Sequence, residues 1–213
     1  MKTIVFQGDS ITACGRLKYD VDVMGEGYAR FVRASLAYDY PGEYKFYNRG
    51  VSGDRVINVY ARIGGDIIRL APDYLSILVG VNDVWHELDF GNGINNEKFE
   101  KIYCMMIEEI QEALPNTKIM ILEPFCLEGE VTVNTEEQPD RWNQFRSGVE
   151  ERAAKAKAVA EKYNLAFIPL QDKFDVMAKI TGPSYWSVDG VHPSIEGHEL
   201  IKREWLKMFS CIG

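Results

Sequence analysis

Basic clusters, long apolar runs and paired cysteines are all missing from this sequence. Its 213 residues carry 24 Lys and Arg against 32 Asp and Glu, a net charge of −8. With no basic stretch to neutralise phosphates, nucleic acid is excluded as a partner, and the acidic balance also opposes an anionic membrane surface. The apolar runs are short, such as residues 119–122, so nothing reads as a bilayer span. The N-terminal apolar stretch Ile4-Val5-Phe6 stops at Gln7-Gly8, which is no secretory signal. The four cysteines, at 14, 104, 126 and 211, form no Cys-x-x-Cys pair, so neither a zinc knuckle nor a dithiol motif is present. Reduced thiols in a cytoplasmic setting are the expectation. There is no Gly-x-Ser-x-Gly elbow and no Gly-x-x-x-x-Gly-Lys loop, and Gly25-Glu26-Gly27 lacks the third glycine of a dinucleotide turn. No nucleotide or other cofactor is called for.

What is present suits an ordinary globular chain: 46% hydrophobic, 26% charged and 12% aromatic residues. The length fits one domain over residues 1–213. Five short runs rich in Ile, Val, Phe, Tyr or Leu read as buried strands, at 3–6, 44–47, 74–79, 118–122 and 166–170. Helical periodicity lies between them, at 28–36, 55–70 with Asp54 as its cap, 96–114, 141–162 and 194–209. Strands alternating with helices predict an α/β chain, with a central parallel five-stranded sheet and helices on both faces. The connections 14–27 and 126–138 are long for such an architecture, and loops of that kind often cover sites.

In open α/β sheets ligands gather beyond the carboxyl ends of the strands. After the first strand stands Gly8-Asp9-Ser10, and after the second the block 48–54, Asn-Arg-Gly-Val-Ser-Gly-Asp. Gly80-Val81-Asn82-Asp83 follows the third, and Asp189-Gly190-Val191-His192 precedes the last helix. Together they supply what acyl transfer requires. Ser10 is the candidate nucleophile, His192 the base that takes its proton, and Asp189 the carboxylate that holds the imidazole. The Ser10 and Gly53 N–H groups and the Asn82 amide are candidate donors to an oxyanion. Each has a plainer reading as well. Ser10 suits a helix cap, Gly53 and Asn82 suit turns, and Asp189-x-x-His192 suits a loop capping the last helix. A metal held by Asp189, His192 and Asp9 would need more donors than these, so no metal is expected.

These blocks, in order and spanning the chain, resemble those of the SGNH, or GDSL, hydrolase superfamily. The resemblance implies a three-layer, flavodoxin-like α/β/α sandwich. It also implies Ser10, Gly53, Asn82 and His192 as the named residues, with Asp189 completing a triad. Residues 75–88, with Glu123-Pro124-Phe125-Cys126-Leu127-Glu128-Gly129, are similar to intracellular acetylxylan esterases of that superfamily. Those enzymes deacetylate xylo-oligosaccharides and tend to form homo-oligomers. The chain departs from that subgroup in carrying Asp54-Arg55 after Gly53 in place of an Asn-Thr pair, which bears on substrate and not on chemistry. The expected function is therefore a serine esterase acting on small acyl esters, with a small-molecule acylated sugar as partner. Lipase, acylhydrolase or thioesterase activity is the alternative within the superfamily. A non-catalytic carbohydrate-binding protein is the reading from another class.

Around the blocks, Asp9, Arg55, Trp85 and Trp186 are candidate substrate-binding residues. The tryptophans flank the blocks and suit stacking on a sugar, although core packing accounts for them equally well. Arg55 could hold a substrate or pair with Asp54 or Asp83, and Asp9 and Asp83 also read as loop braces through backbone N–H groups. His86 reads either as crevice lining or as an exposed loop residue, and His198 as a surface or packing residue of the last helix.

Overall fold

The structure is a computed structural model that describes every residue except Val21, within the 14–27 connection, and Gly213. Five strands, β1 (Lys2–Gly8), β2 (Tyr44–Asn48), β3 (Tyr74–Leu78), β4 (Lys118–Leu122) and β5 (Ala166–Ile168), form one sheet in the order β2-β1-β3-β4-β5. Every pairing is parallel, from Phe6 beside Asn48 to Leu122 beside Ile168. This is the flavodoxin-like order, with its switch point between β1 and β3.

Side-chain alternation explains why the sheet is buried on both faces. Ile4 and Phe6 of β1, Leu78 of β3, and Met120 and Leu122 of β4 enter one core. Val5, Leu75, Ile77, Ile119 and Ile121 enter the other. The first core is covered by α2 (Tyr28–Asp39) and α9 (Ile195–Ile212), through Tyr28, Val32, Ile201 and Trp205, with Phe174 of α8 (Gln171–Thr181). The second is covered by α6 (Asn96–Ala113), through Phe99, Tyr103, Ile107 and Ile110, and by the later turns of α7 (Arg141–Lys162). Among the described residues no helix is long and apolar enough to cross a membrane.

The strand and long-helix positions match expectation to within a few residues, but the single helix over 55–70 does not form. That stretch is α3 (Val56–Tyr60), α4 (Ile63–Asp66) and a 3₁₀ turn at Ile68–Leu70. Nor is Asp54 its cap: Arg55 occupies the N-cap, and its N–H donates to Asn58 Oδ1 at 3.1 Å. The physical reason is Arg62, whose guanidinium turns inward to Asp54 Oδ2 (2.6 Å), the Arg49 carbonyl (2.7 Å) and Gln7 Oε1 (3.0 Å). Gly64 and Gly65, weak helix formers, follow it. Three helices were not foreseen: α1 (Ser10–Ala13), α5 (Val81–Phe90) and α8. Val81, Val84, Trp85 and Leu88 do repeat at helical spacing, which was the available signal for α5.

Candidate active site

Four chain segments meet at the carboxyl edge of the sheet. Leaving β1, Asp9 caps α1 by accepting from the Ile11 N–H at 3.0 Å, which sets Ser10 at the first helical position. The 48–54 block is fastened beside this turn. Asn48 Nδ2 donates to the carbonyls of Thr12 (2.6 Å) and Met24 (2.8 Å), and Arg16 Nη2 donates to the Gly50 carbonyl at 2.6 Å. Gly53 closes the block in a left-handed conformation, φ +81°, which favours glycine.

The next segment is α5. Asn82, buried in its first turn, donates from Nδ2 to the Asp54 carbonyl at 3.1 Å. Asp83, also buried, accepts from the Val56 N–H at 3.1 Å. Neighbouring residues of α5 thus bind both sides of the chain following Gly53. Burial pushes the Asp83 carboxyl up to about 8, against the opposing pull of the Val56 N–H and of Arg152 and Arg55.

The last segment carries Asp189 and His192. Asp189 Oδ1 accepts from the N–H groups of Val191 (2.9 Å) and His192 (2.8 Å), an arrangement that makes the turn rigid. Its Oδ2 lies 2.6 Å from His192 Nδ1, and His192 Nε2 lies 2.9 Å from Ser10 Oγ. Burial draws the Asp189 carboxyl upward, but the His192 ring and the backbone N–H groups outweigh it and hold the group below its usual range. The hydrogen bond to Asp189 raises His192 above the ordinary histidine value despite partial burial, with the Asp189 and Asp9 charges adding to it. The connection 126–138 supports this turn from outside. Leu127 N–H donates to the Gly190 carbonyl (2.8 Å) and Val131 N–H to the Asp189 carbonyl (3.0 Å).

The candidates therefore divide. Ser10, His192 and Asp189 form a continuous chain of hydrogen bonds, and Gly53 and Asn82 are joined through Asp54. Trp85 lies against His192, with ring centroids 6.0 Å apart. Three of the candidate substrate-binding residues have protein partners here. Asp9 is 1% exposed and accepts from the Ile11 N–H, which braces the turn. The Arg55 guanidinium donates to Asn58 Oδ1 (3.1 Å) and Asn92 Oδ1 (2.9 Å). Trp186 is buried, with its indole N–H donated to Thr181 Oγ1 at 2.7 Å. It lines a cavity of about 600 Å³ between α8 and α9 that none of Ser10, Gly53, Asn82, Asp189 or His192 borders.

His198 is a packing residue. It is stacked on Tyr28, its Nδ1 accepts from the Tyr28 N–H at 3.2 Å, and burial pushes it down to about 4. Sequence reasoning left His86 undecided and did not single out Gly129. A Cβ at 53 would lie 3.9 Å from His86 Cε1, which puts that ring at the rim. The signal for His86 was its i+4 relation to Asn82, visible only once α5 is recognised as a helix.

Comparison with known proteins gives the family. The profile of the GDSL-like Lipase/Acylhydrolase family matches residues 6–200. An acetylxylan esterase of Geobacillus stearothermophilus is 30% identical, over 96% of this chain and 92% of its own. The crystal structure of Axe2, an acetylxylan esterase from the same organism, superposes with a TM-score of 0.84 at 29% identity, covering 97% of this chain and 93% of that one. The structure of LAE5, an alpha/beta hydrolase enzyme from the metagenome of Lake Arreo, superposes at 0.85 with 26% identity over 100% of this chain and 96% of that one.

Proposed function

This chain belongs to the GDSL-like lipase/acylhydrolase family and is an ester-bond hydrolase, and from that premise we propose that it is a serine esterase removing small acyl groups, acetyl foremost, from carbohydrate. The observation that carries this reading is the run of contacts from Ser10 Oγ to His192 Nε2 (2.9 Å) and from His192 Nδ1 to Asp189 Oδ2 (2.6 Å). An ionised Asp189 keeps the ring proton on Nδ1 and leaves the Nε2 lone pair directed at the Ser10 hydroxyl.

Ser10 Oγ attacks the ester carbonyl while its proton passes to His192 Nε2. The oxygen that becomes negative is received by the Ser10 and Gly53 N–H groups and by the Asn82 amide proton not bonded to Asp54. The imidazolium formed is stabilised by Asp189. Collapse of the tetrahedral intermediate breaks the bond to the alcohol, which leaves with the proton from Nε2. Water, deprotonated by the same nitrogen, then releases the acid from acyl-Ser10. No step needs a metal or cofactor, and the whole chain, 1–213, works as one hydrolase domain. The acetyl and sugar preferences are supported by the acetylxylan esterase relative and by an indole beside the proton-transferring histidine. The free cysteines support a reducing, cytoplasmic setting.

The test is labelling by diethyl p-nitrophenyl phosphate with turnover of p-nitrophenyl acetate. The wild-type protein should be labelled and Ser10→Ala should not; a labelled Ser10→Ala protein would end the proposal. Rates on acetylated xylo-oligosaccharide, acyl-CoA and long-chain esters then decide substrate class. Faster turnover of long chains or of thioesters would replace the sugar reading with a lipase or thioesterase one. No turnover of any ester at neutral pH would favour a non-catalytic binding protein.

A further inference from the structure

Arg141 is the first residue of α7 and is buried. Local preference does not explain it there. The dipole of a helix opposes a cation in its first turn, and a buried guanidinium is costly unless it is paired and hydrogen-bonded. Its bonds leave α7 in two directions, and both end at the Asp189–His192 pair.

One direction runs through the 126–138 connection. Arg141 Nε donates to the Val131 carbonyl at 2.7 Å, and the Val131 N–H donates to the Asp189 carbonyl at 3.0 Å. A bond to Gln138 Oε1 holds the guanidinium to the end of the same connection. The other direction runs through α5. Arg141 Nη1 donates to Asp89 Oδ1 at 2.6 Å, and Asp89 Oδ2 accepts the Trp85 indole N–H at 2.6 Å. The Trp85 ring then lies beside the His192 ring, 6.0 Å between centroids. Because His192 Nδ1 is itself 2.6 Å from Asp189 Oδ2, the series of contacts closes into a ring. Phe145, one turn after Arg141 and wholly buried, packs inside it, with the guanidinium over its face at 5.7 Å and the Trp85 indole edge-on at 6.2 Å.

Proton transfer depends on where the imidazole stands, and a displacement of 1 Å costs roughly 10²-fold in rate. The bond to Asp189 holds the ring at Nδ1, and an imidazole held there can still pivot about that bond. The indole on its flank opposes the pivot only if it keeps a fixed distance from the turn that carries Asp189. The guanidinium bonded toward both sets that distance. We propose that Arg141 is a positioning residue of this esterase, which ties the Asp189 turn to the Trp85 indole and so keeps His192 in line with Ser10 Oγ. The inference rests on the esterase reading above and extends its machinery to a side chain that touches neither Ser10 nor His192.

The test is kcat and KM for p-nitrophenyl acetate, with kcat expressed per Ser10 titrated by diethyl p-nitrophenyl phosphate. General weakening of the fold lowers the number of titrated sites and leaves kcat per site alone. Arg141→Gln should lower kcat per site on the order of 10²-fold, with KM little changed. Trp85→Phe keeps a ring beside His192 and removes only the N–H that reaches Asp89. Combined with Arg141→Gln, it should cost less than the product of the two separate losses, by at least about threefold, because both act in one network. A wild-type kcat per site in Arg141→Gln, a change confined to KM, or losses that simply multiply would overturn the assignment. If Arg141→Gln does not fold, Asp89→Ala breaks the same ring at a partly exposed residue and decides instead. A fall in its kcat per site supports the assignment, and an unchanged value ends it. Those failures in an active enzyme sink only the role of Arg141. A wild-type protein inert toward the ester and not labelled at Ser10 sinks the esterase reading and this inference with it.

Discussion

Asn82 donates its side-chain amide to the main-chain carbonyl of Asp54 at 3.1 Å, and this bond joins the two strand ends that would cradle a negative oxygen. It fixes the rotation of the amide and leaves the second N–H available. Asn82→Ala should lower kcat on the order of 10²–10³ with a much smaller change in KM. The Asp54 carbonyl loses its partner, so stability should fall by about 1 kcal/mol. Steady-state kinetics with thermal melting checks both, and unimpaired kcat would remove Asn82 from the cradle.

Replacing Asp189 by asparagine removes the charge that orders the His192 ring. The turnover should fall by about 10⁴, the scale seen when a triad histidine adopts the wrong tautomer. The pH profile should move as well. Activity needs uncharged His192, whose pKa is raised mainly by the Asp189 bond, so the wild-type rate falls as pH drops through that raised value. In Asp189→Asn the main raising cause is gone, and the acidic limb of residual activity should shift to lower pH. A limb that stays in place would show that another group controls it.

Asp9 gives a prediction about stability. Burial pushes its carboxyl up to about 7, although the Ile11 N–H and His192 pull the other way, whereas an unfolded aspartate titrates near pH ~4. Across that interval the folded state holds a proton that the unfolded state has released. This contribution to stability is full below the unfolded value and is lost as pH rises through the folded one. Asp9→Asn keeps an acceptor for Ile11 and does not ionise. Its melting temperature relative to wild type should therefore climb from acid to neutral pH, by an amount worth at most roughly 4 kcal/mol. A difference independent of pH would contradict this.

Gly129 presses against the turn that carries the triad carboxylate: a Cβ there would lie 2.3 Å from the carbonyl carbon of Asp189. Backbone on that side cannot yield as a side chain could. Gly129→Ala should displace either the 126–138 connection or the Asp189 turn, costing about 1–3 kcal/mol and lowering kcat through the Asp189–His192 contact. The paired readout is melting temperature with kcat on p-nitrophenyl acetate. An alanine variant as active as wild type would show the turn to be independent of that connection.

The central strands β1 and β4 were legible because both faces of the sheet are covered there, so each carries a short apolar run, as at Ile119-Met120-Ile121-Leu122. The blocks beyond them were legible because Gly8-Asp9-Ser10 and Asp189-Gly190-Val191-His192 each compress their polar groups into a few consecutive residues. The broken 55–70 segment was not, because apolar spacing does not register a guanidinium such as Arg62 turning inward to carbonyls of other elements.

Trp85 and Trp186 separate what the chain determined alone from what tertiary structure decided. Both lie close in sequence to a polar block, and by composition each could face a sugar or fill a core. Local sequence determined the α/β alternation, the family and the residue types available for acyl transfer, since these depend on neighbours along the chain. Which indole meets His192, which one donates to Thr181, and that His86 stands over Gly53 depend on contacts between distant segments. Side-chain direction is fixed by the packing of helices on the sheet, and only the folded chain specifies it.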